Sequence, residues 1–232
     1  MPDQIRGLYL VGSLALGDYR PGQSDIDFIA IAEPNADMSP LVGVHRTLSD
    51  AYPTVNCDGI YLGRGDLAYP PTGTGPSAMS GVVTFDSAEE RHPVTWLTML
   101  RHGITVRGEA PSASWIAADE DAAVVYSRQN LQSYWLPWLN QRRRDMATLQ
   151  EDESVIWGCL GVARLHAAIV TGKMVSKSGA GRHALANFPD DQAIVEEAIW
   201  LRQGGASRYN SPTVRGDDLV AFMDRVISST VL

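Results

Sequence analysis

Residues 9–31, "YLVGSLALGDYRPGQSDIDFIAI", constrain the fold more than any other stretch of this chain. An apolar run ends in Gly12-Ser13, a spacer of eleven residues (14–24) follows, and Asp25-Ile-Asp27 leads into a second apolar run. Asp is depleted in strands, and an unpaired buried charge is costly. Two carboxylates at the mouth of a strand therefore call for a partner, and a metal ion is the first candidate. Residues two apart on an extended chain project to the same face. Asp25 and Asp27 can then share hard cations such as Mg²⁺, which favour oxygen ligands and leave room for substrate phosphates. Gly12-Ser13, after one strand and before a possible helix start, lets backbone N–H groups approach phosphate oxygens.

The remaining chain is read around that segment. Short, apolar, β-rich runs fall at 7–12, 26–32, 55–62, 81–85 and 104–107, with helical patterns at 39–51 and 92–102. Residues 67–81, rich in Pro, Gly and Ser, read as a long loop. Composition shifts across 107–121, and no convincing strand follows. Helices are expected from about 119 until Pro137 interrupts, then over 153–171 with Gly172 as its end, near 190–203, and over 216–229. The expected fold class is α+β, with a mixed-sheet domain over 1–113 and an all-α bundle over 114–232.

Composition narrows the partners. The 232 residues carry 19 basic and 27 acidic side chains, for a net charge of −8 and a pI near 5.0. A nucleic-acid partner is not expected, because phosphate backbones want clustered Lys and Arg. "QRRRD" (141–145) is too short for such a patch. Cys57 and Cys159 have neither zinc nor redox spacing and read as reduced core thiols. The five histidines show no metal-ligand pattern. No run reads as a membrane span or a secretory signal, so a cytoplasmic monomer without membrane attachment is expected. "VTGKM" (170–174) fails as a Walker A loop, since helix precedes it and Met174 stands where Ser or Thr is needed.

Gly-Ser, about ten residues, then Asp-x-Asp entering a strand resembles the signature of the DNA polymerase β-like nucleotidyltransferase superfamily. The spacer here is one residue longer than that pattern. The superfamily places a third carboxylate on the next strand, and "TVNCDGIYLGRGD" offers Asp58 within the strand pattern and Asp66 beyond it. Asp58 is the candidate, to complete the metal site or take the proton from the attacking hydroxyl; a turn aspartate before Gly59 is the alternative.

The second half, "DESVIWGCLGVARLHAAIVTGKMVSKSGAGRHALANFP", is similar to the helical domain of aminoglycoside adenylyltransferases of the streptomycin and spectinomycin type. "LRHGITVRGEAP" is similar to the junction that closes their catalytic domain. The resemblance implies transfer of AMP from ATP to a hydroxyl of a cationic aminoglycoside, with two Mg²⁺ ions and release of pyrophosphate, an antibiotic-resistance activity. It assigns Asp25, Asp27 and Asp58 to metal binding and catalysis, and Gly12, Ser13, Lys177, Arg164 and, more weakly, Lys173 to the nucleotide. Lys177 is expected on a flexible polar loop. Glu151, Asp152 and Glu153 fall where that family meets its drug, although acidic residues also suit any helix N-terminus. The family's drug-stacking tryptophan has no counterpart, and Phe85 is the nearest aromatic. Alternatives are a nucleotidyltransferase acting on protein or RNA, and a nucleotide-binding regulator without turnover.

Overall fold

The structure is a computed structural model that describes residues 2–230. The chain divides into two compact units, Met1–Ala123 and Val124–Leu232.

The first unit is built on a six-stranded sheet of order β5-β4-β3-β2-β1-β6. Its strands are β1 (Ile5–Leu10), β2 (Ile26–Ala32), β3 (Cys57–Gly63), β4 (Gly75–Met79), β5 (Val82–Ser87) and β6 (Ile104–Arg107). Only β2 and β3 run parallel; every other neighbouring pair is antiparallel. Period-two alternation sorts the side chains. Tyr9, Ile29, Ile31, Ile60 and Leu62 pack on one face with Trp96, Met99, Trp115 and Ile116. Phe28, Ala30 and Tyr61 pack on the other with Leu41. Helix α3 (Pro93–His102) supplies Trp96 and Met99, and α2 (Leu41–Ala51) supplies Leu41. Trp115 and Ile116 also belong to this unit's core, so the segment after β6 packs with the sheet.

The long loop expected over 67–81 is corrected by the structure. Arg64–Ala68 forms a 3₁₀ turn, and Gly75–Met79 is strand β4, hidden in sequence by its Pro, Gly and Ser. β4 turns into β5 through Ser80 and Gly81, both at positive φ (48° and 77°), with Met79 paired to Val82. Two residues at positive φ make the tight turn that matches strand twist.

The second unit is helical. The segment 120–142 comprises α4 (Glu120–Asn130), a π-helical turn over Leu131–Trp135 and α5 (Leu136–Arg142). The helix was expected to stop at Pro137, but Pro137 lies inside α5 and does not end it. The π turn lies where a regular helix would drive the carbonyl four residues back into the proline ring. The centre is α6 (Asp152–Thr171), with α7 (Lys177–Asn187), α8 (Gln192–Arg202) and α9 (Pro212–Ser229) packed against it. α6 is a 20-residue helix of mean hydropathy 1.5, long and apolar enough by length and composition to cross a membrane. Most of its apolar window is nevertheless buried, in a core shared with Leu131, Trp135, Leu219, Phe222 and their neighbours, as a core helix would be.

Helix α7 corrects a second expectation. Lys177 begins a regular helix of eleven residues and does not sit on a loop. Ser176 caps it by accepting from the Gly179 N–H at 3.1 Å. Gly181 then lets α7 approach closely, since a Cβ there would lie 2.6 Å from Ile199. Two glycines lower helix propensity in sequence, and tertiary packing overrides it.

Candidate active site

β1 ends at Leu10, and the chain turns at once into α1 (Gly12–Ala15). The Val11 N–H donates to the Asp27 carbonyl at 2.9 Å, tying this turn to the start of β2. Gly12 has φ of 56°, and a Cβ on it would lie 1.8 Å from Asp27 Oδ2. The Asp27 carboxylate therefore rests where a side chain at position 12 would be, and only glycine fits. Asp27 pairs in register with Asp58 across the parallel strands β2 and β3. Both lie on the sheet face that, further along, buries Ile29, Ile31, Ile60 and Leu62. Asp25 precedes Asp27 by two residues and accepts from Asn56 Nδ2 at 3.1 Å.

Asp58 accepts a hydrogen bond from the Ser80 backbone N–H at 2.8 Å, delivered by the tight turn between β4 and β5. Its carboxyl is nonetheless held above the usual carboxylate range. Burial is the main cause, and the charges of Asp25, Glu90 and Glu89 add to it, against the lowering effect of the Ser80 bond. The acidic end of the sheet thus gathers more negative charge than its own hydrogen bonds offset. Carboxylate oxygens in excess are a donor set for hard cations. Among the described residues, no group of three or more His, Cys, Asp or Glu stands ready to hold a metal by itself.

The other candidates fall into two groups. Phe85 lies on β5 at the sheet edge, 47% exposed. In the second unit, Glu151, Asp152 and Glu153 stand exposed at the start of α6, and Lys173 lies exposed after its end. Asp152 is engaged by Arg215 Nη1 at 2.7 Å, so this carboxylate already has a structural partner. Arg164 is half-buried on α6, and Lys177 is the first residue of α7. The Lys177 amine sits 5.0 Å over the Trp157 ring. By helical period, Glu153, Trp157 and Arg164 fall within roughly 60° of arc on α6. A lysine at a helix N-terminus opposes the macrodipole, and the contact with the Trp157 ring offsets part of that cost.

Ser80, Asn56, Glu89, Glu90 and Trp157 had no motif to mark them. Their places depend on strand pairing and helix packing, except that the Ser-Gly dipeptide at 80–81 is a turn signal in itself.

Comparison with known proteins bears on this sheet, with its carboxylates at the strand mouths and a Gly-Ser turn beside them. Residues 2–53 match the model of the nucleotidyltransferase domain family. The solved structure of spectinomycin adenyltransferase AAD(9) from Enterococcus faecialis, with ATP and spectinomycin, is similar to the whole chain. The TM-score is 0.67 at 12% identity, over 96% of this chain and 92% of that one. No curated protein sequence matches significantly. The family match and the shared mixed α+β fold support nucleotidyl transfer, in keeping with the resemblance read from the sequence.

Proposed function

We propose that this protein transfers AMP from ATP to a hydroxyl of an aminoglycoside-type acceptor and releases pyrophosphate. The observation that carries the proposal is Asp27 and Asp58 in register on one sheet face, with Asp25 just before β2 and near enough for its charge to raise the Asp58 pKa, and with Gly12 against Asp27. Asp25 and Asp27 would hold Mg²⁺, whose role when bound is to neutralise the triphosphate and polarise the reacting phosphoryl group. Phosphate oxygens of the nucleotide would complete the coordination, as is usual for Mg²⁺.

Asp58 takes the proton of the acceptor hydroxyl as its oxygen attacks the α-phosphorus. The new O–P bond forms as the bond to the β-phosphate oxygen breaks. Burial and like charge raise the basicity of Asp58, and the Ser80 N–H holds its orientation. Gly12 and Ser13 present backbone N–H groups to the nucleotide phosphates, and Lys177 and Arg164 contribute positive charge to them. Lys173 is a weaker candidate for the same task. Catalysis on this reading is chiefly positioning and charge neutralisation.

The acceptor is proposed to be cationic. A net charge of −8 and the carboxylates Asp25, Asp58, Glu89 and Glu90 favour an ammonium-bearing substrate. Glu151 and Glu153 remain candidates for its amines. The relative AAD(9) was solved with ATP and spectinomycin, which supports a small-molecule acceptor.

The deciding experiment incubates the protein with Mg²⁺, each labelled nucleoside triphosphate and a panel of aminoglycosides. ATP-dependent pyrophosphate release that requires one of the drugs, with AMP recovered on it, is the expected result. Release with no drug in the panel, or label found on protein or RNA, would transfer the activity to another acceptor.

A further inference from the structure

Of the 19 basic side chains in this chain only two are lysines, Lys173 and Lys177. An arginine head is a rigid planar fork, whereas a lysine head is a point charge with three donors on a flexible stem. A lysine that meets a ligand in one place therefore has much rotamer freedom to lose, and a contact that steadies it beforehand favours binding.

Lys177 has such a contact. Its backbone is fixed at the start of α7, where the Ser176 hydroxyl accepts from the Gly179 N–H at 3.1 Å. Its ammonium lies 5.0 Å over the ring of Trp157, a residue of α6. A cation within about 6 Å of a ring centroid is attracted by the ring quadrupole, and indole offers the strongest such face.

Trp157 is itself held in place. Its ring stands 5.5 Å from that of Trp135, which is 5.7 Å from Trp138 and 5.2 Å from Tyr134. Trp135 is 5% exposed and rests on bare α6 backbone, since a Cβ on Gly161 would overlap its ring. Glycine inside a helix lowers its propensity, and here the space it leaves seats an indole. Trp157, at the edge of this cluster, keeps 39% of its surface exposed. Arg164 follows it by two turns of α6 and lies within roughly 20° of it by helical period. The steadied ammonium and the helix arginine thus belong to one side of α6.

We propose, on the reading that Lys177 serves the triphosphate, that Trp157 is a positioning residue. Its ring steadies the Lys177 ammonium, and the donors turned away from the indole meet the β- and γ-phosphates. A ring that merely packed would be replaceable by leucine without any effect on the nucleotide. A ring that steadies a cation is replaceable only by another π face.

Calorimetric titration with ATP and with AMP tests this in wild type, Trp157→Phe, Trp157→Leu, Lys177→Ala and the double variant Trp157→Leu/Lys177→Ala. Trp157→Leu should weaken ATP about threefold or more and leave AMP nearly unchanged, with the effect in KM and not in kcat. Trp157→Phe should stay within about twofold of wild type. In the Lys177→Ala background, Trp157→Leu should change nothing further, because the coupling runs through the ammonium. Lysine ¹³C–¹H spectra read the contact itself, since the chain has two lysines and the signal missing from Lys177→Ala is Lys177. Its ε-methylene protons should lie upfield of those of Lys173 and lose that shift in Trp157→Leu. An ATP-selective loss in Lys177→Ala without one in Trp157→Leu overturns the role of Trp157 and leaves Lys177 on the triphosphate. Additive losses in the double variant, or a Trp157→Phe as weak as Trp157→Leu, overturn it in the same way. No ATP-selective loss in Lys177→Ala overturns both assignments. If Trp157→Leu fails to fold, the wild-type spectrum with ATP bound decides: a Lys177 signal no further upfield than that of Lys173 sinks the proposal.

Discussion

The two units treat their acids in opposite ways. In the helical unit, Glu197 is 1% exposed and fully engaged. It accepts from Ser207 Oγ at 2.5 Å, the Arg208 N–H at 3.0 Å and Arg215 at 3.3 Å. Asp191 likewise receives two bonds from Arg225. In the sheet unit, Asp58 has one backbone donor and three acidic neighbours, and it pays for that arrangement with a raised pKa. Compensated charge holds a fold together; charge left uncompensated at a strand mouth is held for something that arrives from solution. Under the proposed function, the contrast sets structural acids apart from chemical ones.

The sharpest way to break the contrast is to neutralise one acid of each kind. Asp27→Asn should lower turnover at least about a thousandfold, roughly 4 kcal/mol of barrier, with the far-ultraviolet circular dichroism unchanged. A variant that keeps a tenth of the rate at saturating Mg²⁺ would remove Asp27 from the metal site, since a tenth is only about 1.4 kcal/mol. Glu197→Ala should do the reverse. It leaves the Ser207 hydroxyl and the Arg208 N–H without their acceptor and Arg215 with Asp152 as its remaining carboxylate, and should cost about 2–3 kcal/mol in urea unfolding of the helical unit. Specific activity per folded molecule should hold.

Lys177→Ala comes next in size. A cation at the first position of α7 that serves the β- and γ-phosphates should, when removed, weaken ATP about tenfold and AMP much less. Calorimetric titration of both nucleotides measures this. Equal losses would return Lys177 to its contact with Trp157 and nothing more.

The smallest effect is the difference in pH response. The His166 ring accepts or donates at 2.8 Å to His183, and burial, then the charge of His183, lowers its pKa to about 4. The unfolded chain takes up this proton near pH 6.5, so the associated stability is intact above 6.5 and drains away as pH falls toward 4. Asp58 has the opposite sign. The folded chain binds its proton more readily than the unfolded one, so ionisation opposes folding above the raised pKa and not below the unfolded value. His166→Gln should flatten the acid loss of the helical unit between about pH 6.5 and 4. Asp58→Asn should raise the melting temperature of the sheet unit at neutral pH while removing activity. Thermal melts across pH, followed separately for each unit, test both signs; a lowered melting temperature in Asp58→Asn would remove Asp58 from the uncompensated class.

What the sequence disclosed follows from how local each feature is. Asp25, Asp27 and Gly12-Ser13 were legible because a strand's period of two and a turn's residue choice act within a few positions. Asp58 is a candidate through the superfamily resemblance and its apolar surroundings, but its pairing with Asp27 depends on register between strands separated in the chain by α2. Ser80 and Glu90 were invisible as neighbours of Asp58, because a hairpin and a loop bring them there. β4 was concealed by Pro76 and Gly75, residues that argue for loop until an edge strand pairs with them. Lys177 was given to a loop by Gly179 and Gly181; the small size of Gly181 is what the packed helix requires. Asp152 suited a drug contact and a helix start equally in sequence; Arg215, 63 residues away, gives it an occupation that local reading does not supply.

The seat of the Asp27 carboxylate on bare Gly12 backbone has a consequence for heredity. With Oδ2 1.8 Å from where any Cβ at position 12 would stand, two codons fifteen apart encode one object. In a saturation library under selection, every non-glycine at 12 should disappear along with every non-aspartate at 27. Shortening residue 27 to make room would discard the charge that the room was for, so no second-site change there restores the first. In the core positions of β1 and β2 a change of one side chain can be answered by its neighbours, but through this pair the lineage has a single doorway.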